Sequence, residues 1–451
     1  MLAAGLPPDT DRDVSAQLCS MALAVLLLVV IVSLGPLQAQ KTMTSTGDGN
    51  LFRQVLFVLM FGFVILAARG LQTPRVFLVP PATLWLLVGW CWFSLAWSLE
   101  PSIAVRRLLL TTIVIWSIFL IVQRAGPERT IKTTILTLLA VLVINYAMIV
   151  LFPTASIHQA RDVLDQNLVG DWKGVMPQKN YTGAVCAITF LMLVFAGGWI
   201  MPVLRIAFLL ATAFFLFKTG SKTSQALTIG CLIIGGLYLA YDPKFRALLA
   251  PGAIIGVGVA ILLGQFVWGD ALAEISRGDA LTGRGKIWSV LVDYASDHWL
   301  LGAGYGSFWN IGQDSPVYDY TSSWVRALGT GHNGYLDMLV TTGSIGLFLT
   351  VAALIIAPLS RLLWSRTIPR GQGALLIALL CFCIGHNFTE SSVMDRDSIV
   401  QVFFMLVLAL ITVCTRPPPA PPAPLYFAWT GRFRPRAETQ VVPSHEETFK
   451  P

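Results

Sequence analysis

Three residues of this 451-residue chain are of a type, and in surroundings, that suit transfer chemistry on an anionic substrate: Lys222, Arg284 and His332. Lys222 lies in Lys218-Thr219-Gly220-Ser221-Lys222-Thr223-Ser224, just ahead of an apolar run. Ser221 or Ser224 is suited to cap a helix there, and the free N–H groups of its first turn favour an anion before the lysine adds a full charge. Arg284 follows Leu281-Thr282-Gly283, and Ile287, Leu291 and Tyr294 come after it at helical spacing. This pattern predicts a short amphipathic helix with Thr282 as candidate N-cap and Arg284 in its first turn, where the helix dipole disfavours a cation. An anion completing the site would account for that placement, and a guanidinium fork can grip phosphate through two donors. His332 stands between Gly331 and Asn333-Gly334 at the head of another apolar run. With an ordinary pKa near ~6.5, its imidazole is a serviceable base at neutral pH. Each residue alone has a plainer reading, the histidine as a solvated cap and the cations as interface anchors. Their shared placement at helix ends makes them a candidate joint site.

The elements that must position these residues are membrane helices. The chain is 55% hydrophobic and 12% charged, against roughly 25% charged in soluble domains. Apolar runs of spanning length lie at about 19–37, 51–68, 76–98, 106–123, 133–152, 181–200, 203–218, 224–241, 247–267, 335–358, 372–390 and 397–415. This predicts an all-α polytopic membrane protein of about twelve transmembrane helices. Aspartates 9, 11 and 13 outweigh Arg12 ahead of the first run, so it reads as a retained span and not a signal peptide. Loops after even-numbered spans hold Arg69, Arg75, Arg124, Arg129, Lys132, Arg205, Lys244, Arg246, Arg361, Arg366 and Arg370. The positive-inside rule puts these loops and both termini in the cytoplasm, and the long loop 268–334 on the outer face.

Three segments follow: a cytoplasmic stretch 1–18, a membrane domain 19–415, and a Pro-rich tail 416–451 that cannot build a core. The net charge of +7 is scattered over short loops, so topology explains it better than nucleic acid does. Nearly all of the seven cysteines fall inside apolar runs, which reads as core packing, with no disulfide framework or metal site. No nucleotide-binding motif is evident, so ATP is not the direct energy source.

Several stretches together resemble a known family. Thr219-Gly220-Ser221-Lys222-Thr223, Leu281-Thr282-Gly283-Arg284 with Ile287-Trp288, Gly302 to Phe308, and His332-Asn333-Gly334-Tyr335-Leu336 with Gly343-Ser344-Ile345-Gly346-Leu347 are similar to the O-antigen ligase and polymerase superfamily. Trp97-Ser98 with Pro101-Ser102 and Arg106-Arg107, Trp172-Lys173-Gly174-Val175 with Lys179-Asn180, and Asn387-Phe388-Thr389-Glu390-Ser391 resemble its exopolysaccharide, succinoglycan-type polymerase branch. The resemblance covers about residues 85 to 410. It implies a metal-independent, cofactor-free, inverting glycosyltransferase of the bacterial inner membrane, working at the periplasmic face.

On that resemblance the donor is an undecaprenyl-diphosphate-linked glycan. The acceptor is a saccharide hydroxyl on a lipid-linked repeat or on lipid A core, and a chain-length regulator is a candidate partner. His332 and Arg284 match the family's catalytic positions. Lys222 stands where arginine is usual, so it can bind the diphosphate only as a point charge, with Ser221 beside it. Arg106, Arg107, Arg161, Lys173, Lys179, Arg326, His386, Glu390 and Arg396 are secondary candidates for diphosphate or sugar contact, and Trp172, Trp288, Trp309 and Trp324 for stacking on sugar rings. Polymerase is the favoured reading. A ligase to lipid A core or protein, a polysaccharide flippase, and a structural subunit of an export complex are the alternatives.

Overall fold

The computed structural model describes residues 8–32, 51–160, 168–245, 284–396 and 398–416. Among these the regular structure is helical: α1 Pro8–Val32, α2 Leu51–Ala67, α3 Ala82–Phe93, α4 Pro101–Ala125, α5 Pro127–Leu151, α6 Lys179–Ala196, α7 Pro202–Lys218, α8 Lys222–Ala240, α9 Arg284–Asp297, α10 Gly334–Trp364, α11 Arg370–His386 and α12 Ile399–Cys414. Six helices are long and apolar enough to cross a membrane, and α2, α3, α11 and α12 are shorter apolar helices. This is a polytopic membrane protein. The expected ninth span at 247–267, the Thr282 cap, Arg161 and the tail from 417 lie outside the described residues.

Helix boundaries follow local chemistry. Pro101, Pro127 and Pro202 open α4, α5 and α7, where proline forfeits no intrahelical bond. The run expected from residue 76 becomes a helix only at Ala82, because Pro80-Pro81 cannot sit inside one. The tenth run extends beyond its expected end at 358, through a π turn at Ala352–Ile356 to Trp364.

The core is centred on α12, whose residues Ile399 to Thr412 are all buried. It packs on α4 and α11, while α11 runs along α8 and α6. The segment from α9 to the head of α10 has a smaller core of its own, in which Ile287, Leu291 and Tyr294 of α9 meet Phe308 and Val340. The spacing seen in the sequence thus does produce the amphipathic helix expected at Arg284.

That layer is fastened to the long apolar helices by backbone. Helix α10 breaks at Gly343, where φ is +71°, a conformation that L side chains adopt only with strain. The chain segment 299–303 enters the break. Ala303 N–H donates to the Val340 carbonyl at 2.9 Å, and Ser344 N–H donates to the Trp299 carbonyl at 2.8 Å. In an unbroken helix Ser344 would have bonded Val340. The loop thereby satisfies both groups, and a Cβ on residue 343 would collide with the Leu300 carbonyl. Arg107 adds a second fastening, donating to the carbonyls of Gly306, Trp309 and Asn310 at 2.6, 2.8 and 3.0 Å.

Candidate functional site

Arg284, His332 and Glu390 come together. Glu390 sits in the turn after α11 with 6% of its surface exposed. Its Oε1 accepts from Arg284 Nη2 at 2.8 Å and from Asn180 Nδ2 at 2.7 Å, and its Oε2 lies 3.1 Å from His332 Nδ1. Burial works against ionisation of this carboxyl. The hydrogen bond and charge of His332, followed by His386 and Arg284, outweigh it and hold the group below the usual carboxylate range. An ionised carboxylate has no proton to give, so His332 Nδ1–H is the donor. That fixes the tautomer and leaves Nε2 as the nitrogen with the free lone pair.

The backbone holds His332 with similar care. Its φ is +49°, a left-handed conformation costing a non-glycine residue ~1–2 kcal/mol. Both neighbours are clamped. Gly331 N–H reaches both oxygens of Asp337 at 3.1 Å, Asn333 N–H donates to Ser391 Oγ at 3.0 Å, and Gly334 N–H donates to the Asn387 carbonyl at 2.9 Å. Asn333 caps α10 by accepting from the N–H groups of Tyr335 and Leu336. Asn387 shapes the facing turn, since its Oδ1 accepts from Ser392 N–H, Ser392 Oγ and Val393 N–H. Strain of this kind survives only where the surroundings over-determine it, and it collects at functional sites.

Arg284 is the cation expected against its helix dipole, and part of the anion that completes its surroundings is the protein's own Glu390. One guanidinium nitrogen is committed there, and a guanidinium carries five N–H donors in all. Trp288, a stacking candidate in sequence, instead ties α9 to the histidine turn by donating to the Gly331 carbonyl at 3.1 Å. Trp309 likewise donates to Asp337 Oδ1 at 2.9 Å, and Trp172 packs among Tyr146, Phe214 and Phe215. Those three rings are structural. Trp324 is 49% exposed.

Lys222 does not touch this group. Its residue is exposed, and it has no hydrogen bond or ion pair among the described residues. Its helix is nevertheless seated beside the site, because Ser221 packs on Gly183 of α6, one turn from Asn180, whose amide holds Glu390. Ser221 occupies the N-cap position but makes no cap hydrogen bond, and its hydroxyl is spent on Ser224 Oγ at 3.1 Å. The capping role expected of Ser221 is therefore not realised.

The secondary cations divide. Lys179 pairs with Asp171 at 2.6 Å, Arg326 binds the carbonyls of Thr321 and Tyr318, and Arg107 binds those of Gly306, Trp309 and Asn310, so each has partners within the chain. Arg396 lies 3.4 Å from Asp395, Lys173 is half-buried, and Arg106 has partners of its own. His386 is 1% exposed and its Nδ1 has no partner. It is buried behind Glu390, as a packed helix end would be. Asn180 is the site residue that sequence reasoning missed. Its contact bridges 210 positions, which no local pattern encodes.

Comparison with known proteins places part of this chain beside a known family. Residues 206–351 match the family model described as Wzy_C, O-antigen ligase. Lys222, Arg284 and His332 fall inside the match, and Asn180 and Glu390 outside it. The exopolysaccharide production protein ExoQ of Rhizobium meliloti (strain 1021) is 30% identical over 182 residues, 37% of this chain and 42% of that protein's length. The similarity thus spans less than half of the relative. On its sequence, and over the stretch that carries Lys222, Arg284 and His332, this membrane protein resembles the O-antigen ligase family, with similarity to an exopolysaccharide production protein.

Proposed function

We propose that this chain is a glycosyltransferase of surface polysaccharide assembly, moving a glycan from an undecaprenyl-diphosphate donor to an acceptor sugar hydroxyl at the outer face of the membrane. The observation that carries the reading is the Arg284–Glu390–His332 arrangement, an imidazole with its tautomer fixed beside a guanidinium. The acceptor hydroxyl gives its proton to His332 Nε2 as its oxygen attacks the anomeric carbon. The bond from that carbon to the phosphate oxygen breaks, and the diphosphate leaves with the electron pair. Arg284 and Lys222 stabilise the leaving charge. A single displacement inverts the anomeric centre, and the glycosyl phosphate bond supplies the driving force.

The topology that goes with this reading has twelve spans, cytoplasmic segments 1–18 and 416–451, and the loop 268–334 outside. The likeness to an exopolysaccharide production protein favours chain polymerisation, with a lipid-linked repeat as acceptor. Ligation to lipid A core shares the donor chemistry and is separated by acceptor alone. Purified protein in lipid nanodiscs, given an undecaprenyl-diphosphate oligosaccharide, should lengthen it stepwise. Normal transfer by a correctly inserted His332→Ala protein would overturn the mechanism, and product formed only on lipid A core would replace polymerase with ligase.

A further inference from the structure

At the end of α9 remote from Arg284 lies an open cavity of about 860 Å3, within the ~300–1,000 Å3 range of small-molecule sites. Thirteen helical steps of ~1.5 Å put it about 20 Å from Arg284. Trp97, Trp299 and Tyr320 line it together with Asp297, Asp314 and Asp319. Its wall is rigid, for Tyr294 stacks on His298 at 4.4 Å and 13°. Tyr320 Oη donates to Asp297 Oδ2 at 2.7 Å, which leaves the other carboxylate oxygen open to a hydroxyl donor. Asp314 and Asp319 have no ion-pair partner among the described residues. Arg326, a cation of the same loop, is spent on backbone carbonyls and the Tyr318 ring.

Aromatic faces and acceptor-only oxygens are complementary to a sugar ring, which offers C–H faces to the one and hydroxyl donors to the other. The acids set the charge preference, because they repel phosphate and uronate. They also count against a lipid chain, since ionised carboxylates pay for losing water to hydrocarbon. We propose that this cavity is a saccharide subsite for a neutral or amine-bearing stretch of glycan, apart from the residues that handle the diphosphate. Identifying that glycan with the acceptor or the growing product rests on the glycosyltransfer reading, whereas binding itself does not. One helix would then present opposite chemistry at its two ends, a cation for the diphosphate and acids with aromatics for the uncharged sugars.

The test is calorimetry on the full chain in nanodiscs, with glucose oligomers of two to eight rings as probe and oligogalacturonates of matched length as the charged control. Saturable binding of the neutral series is expected, with the uronates at least about tenfold weaker. Trp299→Ala, an exposed side chain whose loss spares the fold, should weaken neutral binding by about tenfold, as expected for one lost ring contact. Asp314→Asn with Asp319→Asn should narrow the gap between the two series. His332→Ala should bind as the parent does. Absence of saturable neutral binding, a preference for uronates, or loss in His332→Ala but not in Trp299→Ala would each overturn the subsite. Intact binding in a protein whose transfer ignores His332 would sink the catalytic reading and leave the subsite standing.

Discussion

Two cations, Arg284 and Lys222, each open a helix, and the structure treats them in opposite ways. Arg284 is half-buried and bonded to a carboxylate that also fixes the histidine. Lys222 is exposed and carries no partner among the described residues. Removing the carboxylate therefore strands Arg284 and frees the His332 ring, whereas Lys222 has no such partner to strand among the described residues. Charge at a helix N-terminus is uninformative alone. What separates a braced group from a waiting one is the partner the rest of the chain supplies.

The sharpest attempt to break this contrast is Glu390→Ala. It strands a half-buried guanidinium and frees the His332 tautomer, so stability should fall by ~2–3 kcal/mol and transfer should collapse, read by denaturant unfolding and product gels. Unchanged stability would show that Arg284 is not braced. His332→Ala should cost ~10²–10⁴ in transfer with little effect on folding. His332→Gly should be equally inactive yet about 1 kcal/mol more stable than the alanine variant, because glycine relieves the +49° φ.

Lys222→Ala should leave unfolding untouched and weaken donor use by ~10–100-fold, the value of a charge-assisted contact. Lys222→Arg should retain activity, and equal loss in both would make the position steric. The pH dependence follows from the depressed Glu390 pKa. Its contribution to stability is fully present above the unfolded value near ~4.3 and is lost as pH falls through the lower folded value. The stability gap between the parent and Glu390→Gln should therefore close in acid, in unfolding curves below about pH 4. The smallest effect is expected from Asn180→Ala, about 1 kcal/mol for one hydrogen bond to the carboxylate.

Much of this was legible in the residues. Continuous apolar runs announce membrane helices because the bilayer demands length and purity, and helices occupy the expected intervals that the structure describes. Arg284 and His332 stood out because each residue type is awkward in its local setting. The central place of Glu390 did not stand out. Its partners lie 58 and 106 positions away, and no local period encodes which helix ends meet. The break in α10 was hidden for a related reason. A glycine inside an apolar run signals a kink only weakly, and what opens this helix is a loop forty residues earlier in the chain. The cavity beyond α9 escaped notice as well, since its acids and rings come from three separated segments.

The threading of segment 299–303 into that break makes the outer layer and the tenth helix a single mechanical part. To lift the segment would leave the Val340 carbonyl and the Ser344 amide without these partners, which for buried polar groups costs ~1–3 kcal/mol each. Segment 299–303 and α10 are therefore bound to move together, and His332 stands at the head of the helix that anchors that segment.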